Sequence, residues 1–325
     1  MKDVLITGGA GFVGYSLHKH LAVNLKLEVD SIDNFQPVYG TNLSKIRSND
    51  LFNQTKKEVV FLDLRNITLK ELDKLFSRYK LIIHLAAFPG VRLGQNLPHE
   101  YLETNIEIFN KIIKAFDYSS SEKLFFASSS SIYGDIQNGH QSREIDANGI
   151  NLKSTYAMTK WVNELVANSL QPKISKPICA LRFFTAIGSM GRPDMAYWNF
   201  TKKILNHEAL NLYGDNGGYR SFTDISDLTD IVGKLLQTNF IGFQAFNVGN
   251  DESRSTLDMV KIISKITKIP AKINYQIRPE ADLEFTNASL EKLQHYIKLK
   301  PFVSLEESLT EFIAWFQENS NRITY

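Results

Sequence analysis

The sequence predicts an α/β fold: a Rossmann-type doubly wound parallel sheet with a smaller C-terminal substrate-binding lobe. Three features predict it. Short apolar runs alternate with amphipathic stretches through the first half, a glycine-rich turn stands directly after the first run, and an aspartate closes the second. Such alternation pairs strands in parallel and lays helices on both sheet faces. Crossovers between parallel strands are right-handed, which leaves few topologies.

Strands are expected at residues 4–7, 27–32, 59–62, 81–85 and 124–128, where β-branched and aromatic residues cluster in short runs. Residues 12–24, 69–79 and 99–118 carry helical periodicity between them. Beyond these, 152–170 is expected as a long helix and 178–184 as another buried strand. After Gly188 the pattern breaks into Gly, Pro and aromatic-rich segments, with helices expected near 198–206, 225–237, 256–267 and 305–319. The expected division is a dinucleotide-binding domain over 1–183, with 223–249 returning to it. The smaller lobe then takes 184–222 and 250–325. No repeat or low-complexity linker separates them, so the lobes are expected to share a cleft.

Bulk composition narrows the function classes. With 325 residues the chain has ample material for a buried core. Lys+Arg 37 against Asp+Glu 35 leaves a net charge of +2. That is no general cationic surface, so neither nucleic acid nor an anionic membrane is an expected partner. The single cysteine, Cys179, lies in an apolar run and is expected to be a buried structural thiol. One thiol forms no internal disulfide, which fits a reducing, cytoplasmic location. No leader-like segment precedes the first strand, and no apolar stretch is long enough to span a bilayer. The 7 histidines show no paired-ligand spacing, so no metal site is expected.

The turn Thr7-Gly8-Gly9-Ala10-Gly11-Phe12-Val13-Gly14 leaves a strand and opens a helix. Gly8 permits the sharp turn, Gly11 lets the backbone approach a pyrophosphate, and Gly14 lets the helix pack on the sheet. The helix start then offers free N–H groups and a positive dipole end to phosphate, so Phe12 and Val13 belong to the same candidate site. Asp33, followed by Asn34, closes the second strand ~20 residues past the glycines, the place from which a carboxylate accepts the ribose 2′-hydroxyl. A 2′-phosphate would be repelled there, so NAD is expected in preference to NADP. Asp63 and Leu64, after the third strand, are expected to reach the adenine edge.

Tyr156 and Lys160 are four residues apart in a helical pattern and project from one face. A free phenol titrates near pH ~10 and is a poor base at neutrality. A neighbouring ammonium and a cationic nicotinamide ring would both favour the phenolate. Ser129 lies at the C-terminal end of the fifth strand, where ligands of open α/β sheets collect. Its hydroxyl is placed to hydrogen-bond a substrate oxygen. Together the three form a candidate catalytic set.

With TGGAGFVG (7–14), HLAA (84–87), SSSSIYG (128–134) and YAMTK (156–160), the chain resembles the extended short-chain dehydrogenase/reductase family and, within it, the NAD-dependent nucleotide-sugar epimerases. The resemblance extends over essentially the whole chain. The segment LRFFTAIGSMGRPDMA (181–196) is similar to the UDP-glucuronate 4-epimerase subgroup, and YGTNLSKIR (39–47) and GVR (90–92) agree with it. The resemblance implies tightly bound NAD recycled within each turnover, held also by Leu85, Ala86, Ala87 and Asn105. It implies a UDP-sugar contacted by Arg92, Ser129, Ser130, Ser131, Thr185 and Tyr213, with Arg220 and Arg278 gripping the diphosphate. Arg192 is the candidate for holding a sugar carboxylate, because a guanidinium meets a carboxylate with two parallel hydrogen bonds. Arg182, inside an apolar strand, is expected to brace the fold. Ser221 stands where the family usually has Asp, and 278–282 reads RPEAD where relatives tend to have Pro-Gly-Asp. The resemblance further implies a homodimer through a four-helix bundle built from 99–118 and 153–170. Other readings are a 4-epimerase of a neutral UDP-hexose (UDP-glucose or UDP-N-acetylglucosamine), a UDP-glucuronate decarboxylase, and a non-enzymatic NAD(H)-binding sensor or scaffold.

Overall fold

The computed structural model describes all residues except Arg92, Gln137, Asn138, Ala281 and Tyr325, together with the side chains of Gln95 and Asn96. Seven strands form one parallel sheet: β1 (Lys2–Thr7), β2 (Val29–Asp33), β3 (Val59–Phe61), β4 (Tyr79–His84), β5 (Lys123–Ser129), β6 (Ile178–Phe183) and β11 (Phe243–Val248). Their order is β11-β6-β5-β4-β1-β2-β3. The chain thus winds outward from β1 in one direction, reverses, and winds outward in the other. That reversal leaves a crevice at the C-terminal ends of β1 and β4, the ligand position of open α/β sheets. Three short parallel or antiparallel pairs lie outside this sheet: β7 (Thr185–Ile187) with β10 (Phe222–Asp224), β8 (Ala209–Tyr213) with β13 (Lys272–Gln276), and β9 (Tyr219–Arg220) with β12 (Arg254–Ser255).

The helices are α1 (Phe12–Lys19), α2 (Leu43–Thr55), α3 (Leu69–Phe76), α4 (Leu93–Asn96), α5 (Pro98–Leu102), α6 (Ile108–Tyr118), α7 (Thr155–Ile174), α8 (Ala196–Leu205), α9 (Ile225–Gln237), α10 (Thr256–Thr267), α11 (Glu291–Tyr296) and α12 (Leu305–Asn319). Central strands are apolar because helices cover both of their faces. On one face Leu17 and Leu21 meet Leu228, Val232 and Leu235 of α9 over Val4, Ile6 and Phe125. On the other, Leu72 and Phe76 of α3, Phe109 and Ile112 of α6 and Ala167 of α7 pack over Leu5, Ile82 and Phe126. The expected strands and helices of the first half are all present. The expected 12–24 helix passes at His20 into a π-helical turn, and the catalytic helix is shifted three residues, starting where the Ser154 side chain accepts from Ala157 N–H.

Helices α2, α4 and α11 have no counterpart in the sequence reading, and α2 is the longest of them. In α2 the buried stripe is Leu43, Arg47 and Leu51, spaced by four, with a cation at its centre. That arginine breaks the apolar periodicity from which a helix is recognised.

A third core is built by α8, α10, α12 and β8, with Trp198, Leu212, Met259, Ile263 and Phe312 fully buried. Aromatic edges interlock here: Tyr197 meets Phe312 at 4.6 Å and Trp198 meets Phe316 at 5.4 Å. Leu43 of α2 joins this core, whereas Ala288, Leu290, Leu293 and Ile297 return to the main-sheet core.

Candidate active site

A cavity of about 1020 Å³ opens where the C-terminal strand ends face the third core. The glycine-rich turn forms one end of it. Gly8 has φ +79°, and a Cβ there would sit 2.7 Å from Ala86 N; a Cβ on Gly14 would fall 2.0 Å from the Gly8 carbonyl oxygen. Both positions therefore demand glycine, and the space they leave lies beside the uncapped start of α1, whose N-cap is Gly11. Gly8, Gly11, Phe12, Val13 and Gly14 all line the cavity.

Asp33 is locked at the end of β2. Its Oδ2 accepts from Ala10 N–H at 2.9 Å and its Oδ1 from Phe35 N–H at 2.7 Å. Burial raises its pKa and those backbone donors oppose the rise. The carboxylate keeps lone pairs for a diol at the cavity wall. Asn34, Asp63 and Leu64 line the same end. Asp63 is gripped by Arg65 (Nη2–Oδ2 2.6 Å), a partner the sequence did not single out, and the guanidinium draws its pKa down to about 2. Leu85, Ala86 and Ala87 form the floor. Asn105 stands behind that floor instead: its amide accepts from Phe88 N–H at 2.8 Å and donates to Phe88 O at 3.1 Å and Thr159 Oγ1 at 3.2 Å. It shapes the wall without facing the cavity.

Ser129, Ser130, Ser131, Tyr156 and Lys160 meet at the cavity's middle. Ser129 ends β5, and its Oγ accepts from Ser131 N–H at 3.2 Å and Ser131 O–H at 2.9 Å. Lys160 Nζ lies 5.7 Å from the Tyr156 ring centroid, and Tyr101 stands edge-on to that ring at 6.3 Å. The expectation that Lys160 lowers the phenol's pKa is not what the electrostatics give. Burial raises the Tyr156 pKa, and the forces pulling the other way come from Arg192 and Ser129. Burial also lowers Lys160 to about 8. The lysine lacks a carboxylate partner among the described residues, so its own charge is costly where it stands.

Behind this set lies a buried polar network. Arg182 holds Glu164 with Nε–Oε1 3.0 Å and Nη2–Oε2 2.7 Å, and Ser128 Oγ donates to the same carboxylate. Arg182 also donates to Tyr133 Oη at 2.8 Å, and Tyr133 to Asn247 Oδ1 at 2.6 Å. Arg182 therefore braces the fold as expected. Glu164 went unremarked in the sequence, although it lies one turn beyond Lys160 on the same helix. Cys179 is fully buried with its pKa raised by burial, an inert thiol.

The remaining candidates line the far wall. Thr185, Arg192, Tyr213 and Arg220 face the cavity. Arg192 stacks over Tyr39 at 5.1 Å and is held by Asp194 through Nε–Oδ1 3.0 Å and Nη2–Oδ2 2.6 Å. Arg220 donates to Tyr219 O at 2.8 Å and to Leu283 O. Arg278 sits one layer back, 3.4 Å from both Leu283 O and Glu284 Oε1. Ser221 is fully buried, its hydroxyl donated to Asn250 O, so it serves the loop and not the cavity. Arg92 lies outside the described residues. Arg47 was missed as a site residue. Nearly fully buried, it donates to Ala10 O at 3.2 Å, Met190 O at 2.8 Å and Gly191 O at 2.8 Å, tying the glycine turn to the Arg192 loop. No His/Cys/Asp/Glu cluster suited to a metal occurs among the described residues, and no described helix is long and apolar enough to cross a membrane.

A parallel sheet with a glycine-rich turn at its switch point and a Ser–Tyr–Lys set across the same cavity defines a dinucleotide-dependent enzyme acting on a second ligand. Residues 4–249 match the model of the NAD dependent epimerase/dehydratase family, and the chain belongs to that family. It is 32% identical to UDP-glucuronate 4-epimerase 2 of Arabidopsis thaliana, covering 97% of this chain and 75% of that protein. It is 29% identical to the UDP-glucuronate 4-epimerase of Thermodesulfobacterium geofontis, covering 98% and 97%. The crystal structure of UDP-glucuronic acid 4-epimerase from Bacillus cereus with UDP-glucuronic acid and NAD superimposes with a TM-score of 0.89 at 29% identity, over 97% and 99% of the two chains.

Proposed function

We propose that this chain is a NAD-dependent epimerase that inverts C4 of UDP-glucuronate to give UDP-galacturonate. The observation that carries the reading is one cavity holding the glycine turn with Asp33, the Ser129–Tyr156–Lys160 set, and a guanidinium, Arg192, on the opposite wall. NAD⁺, held by the α1 start, Asp33, Asp63 and Leu85–Ala87, supplies a hydride acceptor for sugar C4 and, once reduced, the donor that restores it. Tyr156 as phenolate takes the C4 hydroxyl proton while Ser129 holds that oxygen. The 4-keto sugar would turn about its diphosphate linkage to present its other face, and Tyr156 would return the proton to the C4 oxygen. Lys160, on the same helical face as Tyr156, would help hold the cofactor. Arg220, which faces the cavity, would meet the diphosphate with Arg278 one layer behind it, and Tyr213, Ser130, Ser131 and Thr185 would complete the substrate contacts; Arg92 keeps the substrate role that the resemblance implies. Residues 184–222 and most of 250–325 act as the substrate lobe.

The 4-keto uronate is a β-keto acid, and loss of its carboxylate as CO₂ is the hazard of this chemistry. Arg192 opposes it by holding the carboxylate's charge in the two orientations where the sugar faces the cofactor, before and after the turn. Incubation of the purified protein with UDP-glucuronate, followed by NMR, tests the reading. UDP-galacturonate without a UDP-pentose is expected. A pentose product alone would make the chain a decarboxylase, and conversion of UDP-glucose with UDP-glucuronate untouched would assign it to a neutral hexose. That second reading draws on Asp194, which already fills the Arg192 fork. The helices over 98–118 and 155–174 pack together and leave Leu102 and Leu165 exposed, which supports a homodimer through these helices. Light scattering that shows only monomer would remove it. A cytoplasmic location agrees with the single buried thiol.

A further inference from the structure

Asp194 presents a carboxylate to the very edge of Arg192 that a sugar carboxylate would use. Both hydrogen bonds run to the Nε and Nη2 donors, in the two-toothed geometry of a guanidinium–carboxylate pair. The two residues are separated only by Pro193, so the pair is local to one loop, and both side chains line the cavity. Tyr39 holds the guanidinium plane from the side and leaves its edge to Asp194. The pair is part exposed, at 23% and 35%, so parting it strands neither charge in a dry interior. Among the described residues Arg192 donates to no other group.

We propose that Asp194 is an internal competitor for the substrate carboxylate, a specificity and positioning residue that makes the hold of Arg192 exchangeable. This rests on the reading of the site as a uronate 4-epimerase. Inverting C4 requires the sugar ring to show both faces to one cofactor. The C5 carboxylate therefore cannot keep one set of contacts from start to finish. A guanidinium with no partner of its own would clamp that carboxylate bidentately and oppose the turn. With Asp194 two residues away, the fork passes from the sugar to Asp194 as the ring leaves and back as it returns. The exchange weakens ground-state binding of the uronate and lowers the barrier between its two orientations. A neutral sugar, which makes no demand on the fork, is unaffected.

The test uses the NAD-loaded protein and the Asp194→Asn variant. Calorimetry gives the Kd of UDP-glucuronate and UDP-glucose, and NMR gives kcat and KM for UDP-glucuronate. Asp194→Asn is expected to bind UDP-glucuronate roughly tenfold more tightly, a difference of one charged contact, with UDP-glucose unchanged. Its kcat should fall while KM also falls, and a larger share of its nicotinamide should stand reduced during turnover, read by absorbance. Asp194→Glu keeps the charge and should return both ratios toward the parent, which separates this role from damage to the loop. Unchanged or weaker UDP-glucuronate binding in Asp194→Asn, or equal tightening for both sugars, overturns the proposal. A parent protein that never converts UDP-glucuronate instead overturns the functional reading on which it stands.

Discussion

Tyr156 is a phenol that the fold makes harder to ionise, since burial outweighs the help of Arg192 and Ser129. A base in that position depends on positive charge arriving beside it, and the bound nicotinamide ring supplies that charge in the reading above. Tyr156→Phe removes the proton carrier and leaves the packing against Tyr101. Turnover should drop ~10²–10⁴-fold, the worth of a positioned acid–base group, with cofactor content unchanged by absorbance. A variant as fast as the parent would remove Tyr156 from the chemistry. Arg47 makes a different demand. Among the described residues no carboxylate lies within hydrogen-bond reach of this buried cation, its pKa is lowered to about 10 by burial, and its donors satisfy three backbone carbonyls. Arg47→Lys keeps the charge and loses the fork, leaving at least one buried carbonyl unmet at about 1–3 kcal/mol. Cofactor release should quicken by roughly tenfold or more, measured by loss of NAD on dilution. Residues that announce themselves by a motif, such as Gly8, Asp33 or Tyr156, were legible from the sequence. Arg47 and Asp194 were not, because their meaning lies in partners that only the fold supplies: a glycine turn 37 positions away for one and an adjacent guanidinium's orientation for the other.

Among the elements, the end of β5 and the helix α7 carry the catalytic set, and one ion pair aligns them. Glu164 on α7 and Arg182 on β6 are 3% and 5% exposed, with Ser128 of β5 bonded to the same carboxylate. Neither charge has access to water if the other is removed. Glu164→Gln should therefore cost about 3–5 kcal/mol of stability, whereas the double variant Glu164→Leu with Arg182→Met should recover much of that loss, because a vacated apolar pair leaves no charge stranded. Urea unfolding of the three proteins measures both quantities. Equal losses in the single and double variants would mean that packing, not charge, sets the cost. The elements themselves were legible where one physical signal dominated, as in the apolar runs of β1, β4, β5 and β6. They were illegible where burial depends on remote partners. β8 and β13 pair across some sixty residues, Ala209 with Lys272 through Tyr213 with Gln276, and β13 is mostly exposed. Lys272–Gln276 alternates polar residues with Ile273 and Tyr275, a strand signal five residues long, but its partner β8 and its exposure are set by the fold.

Across the whole molecule, two buried histidines join the layers around β1 and set how the fold responds to acid. His18 on α1 meets Ser31 of β2 at 2.6 Å, and His84 at the end of β4 meets Thr7 of β1 at 2.8 Å. The second ring nitrogen of His18 is buried without a hydrogen-bond partner, an arrangement that suits a neutral ring and not an imidazolium. Burial lowers His18 to about 4 and His84 to about 3, with the Lys160 charge adding to the second. In the unfolded chain both titrate near ~6.5. Below that value the unfolded state binds protons that the native state refuses, so their contribution is complete above pH ~6.5 and drains as the pH falls toward about 4 and 3. Asp33, whose pKa burial raises, works in the opposite direction over part of the acid range and softens the slope. The urea midpoint is therefore expected to decline between neutral pH and pH ~5 by an amount worth on the order of a few kcal/mol. A His18→Gln, His84→Gln double variant should begin less stable at neutral pH and then run flatter than the parent. If the double variant's profile is as steep as the parent's, the acid sensitivity belongs to other groups, and the two imidazoles are packing residues with no part in the pH response.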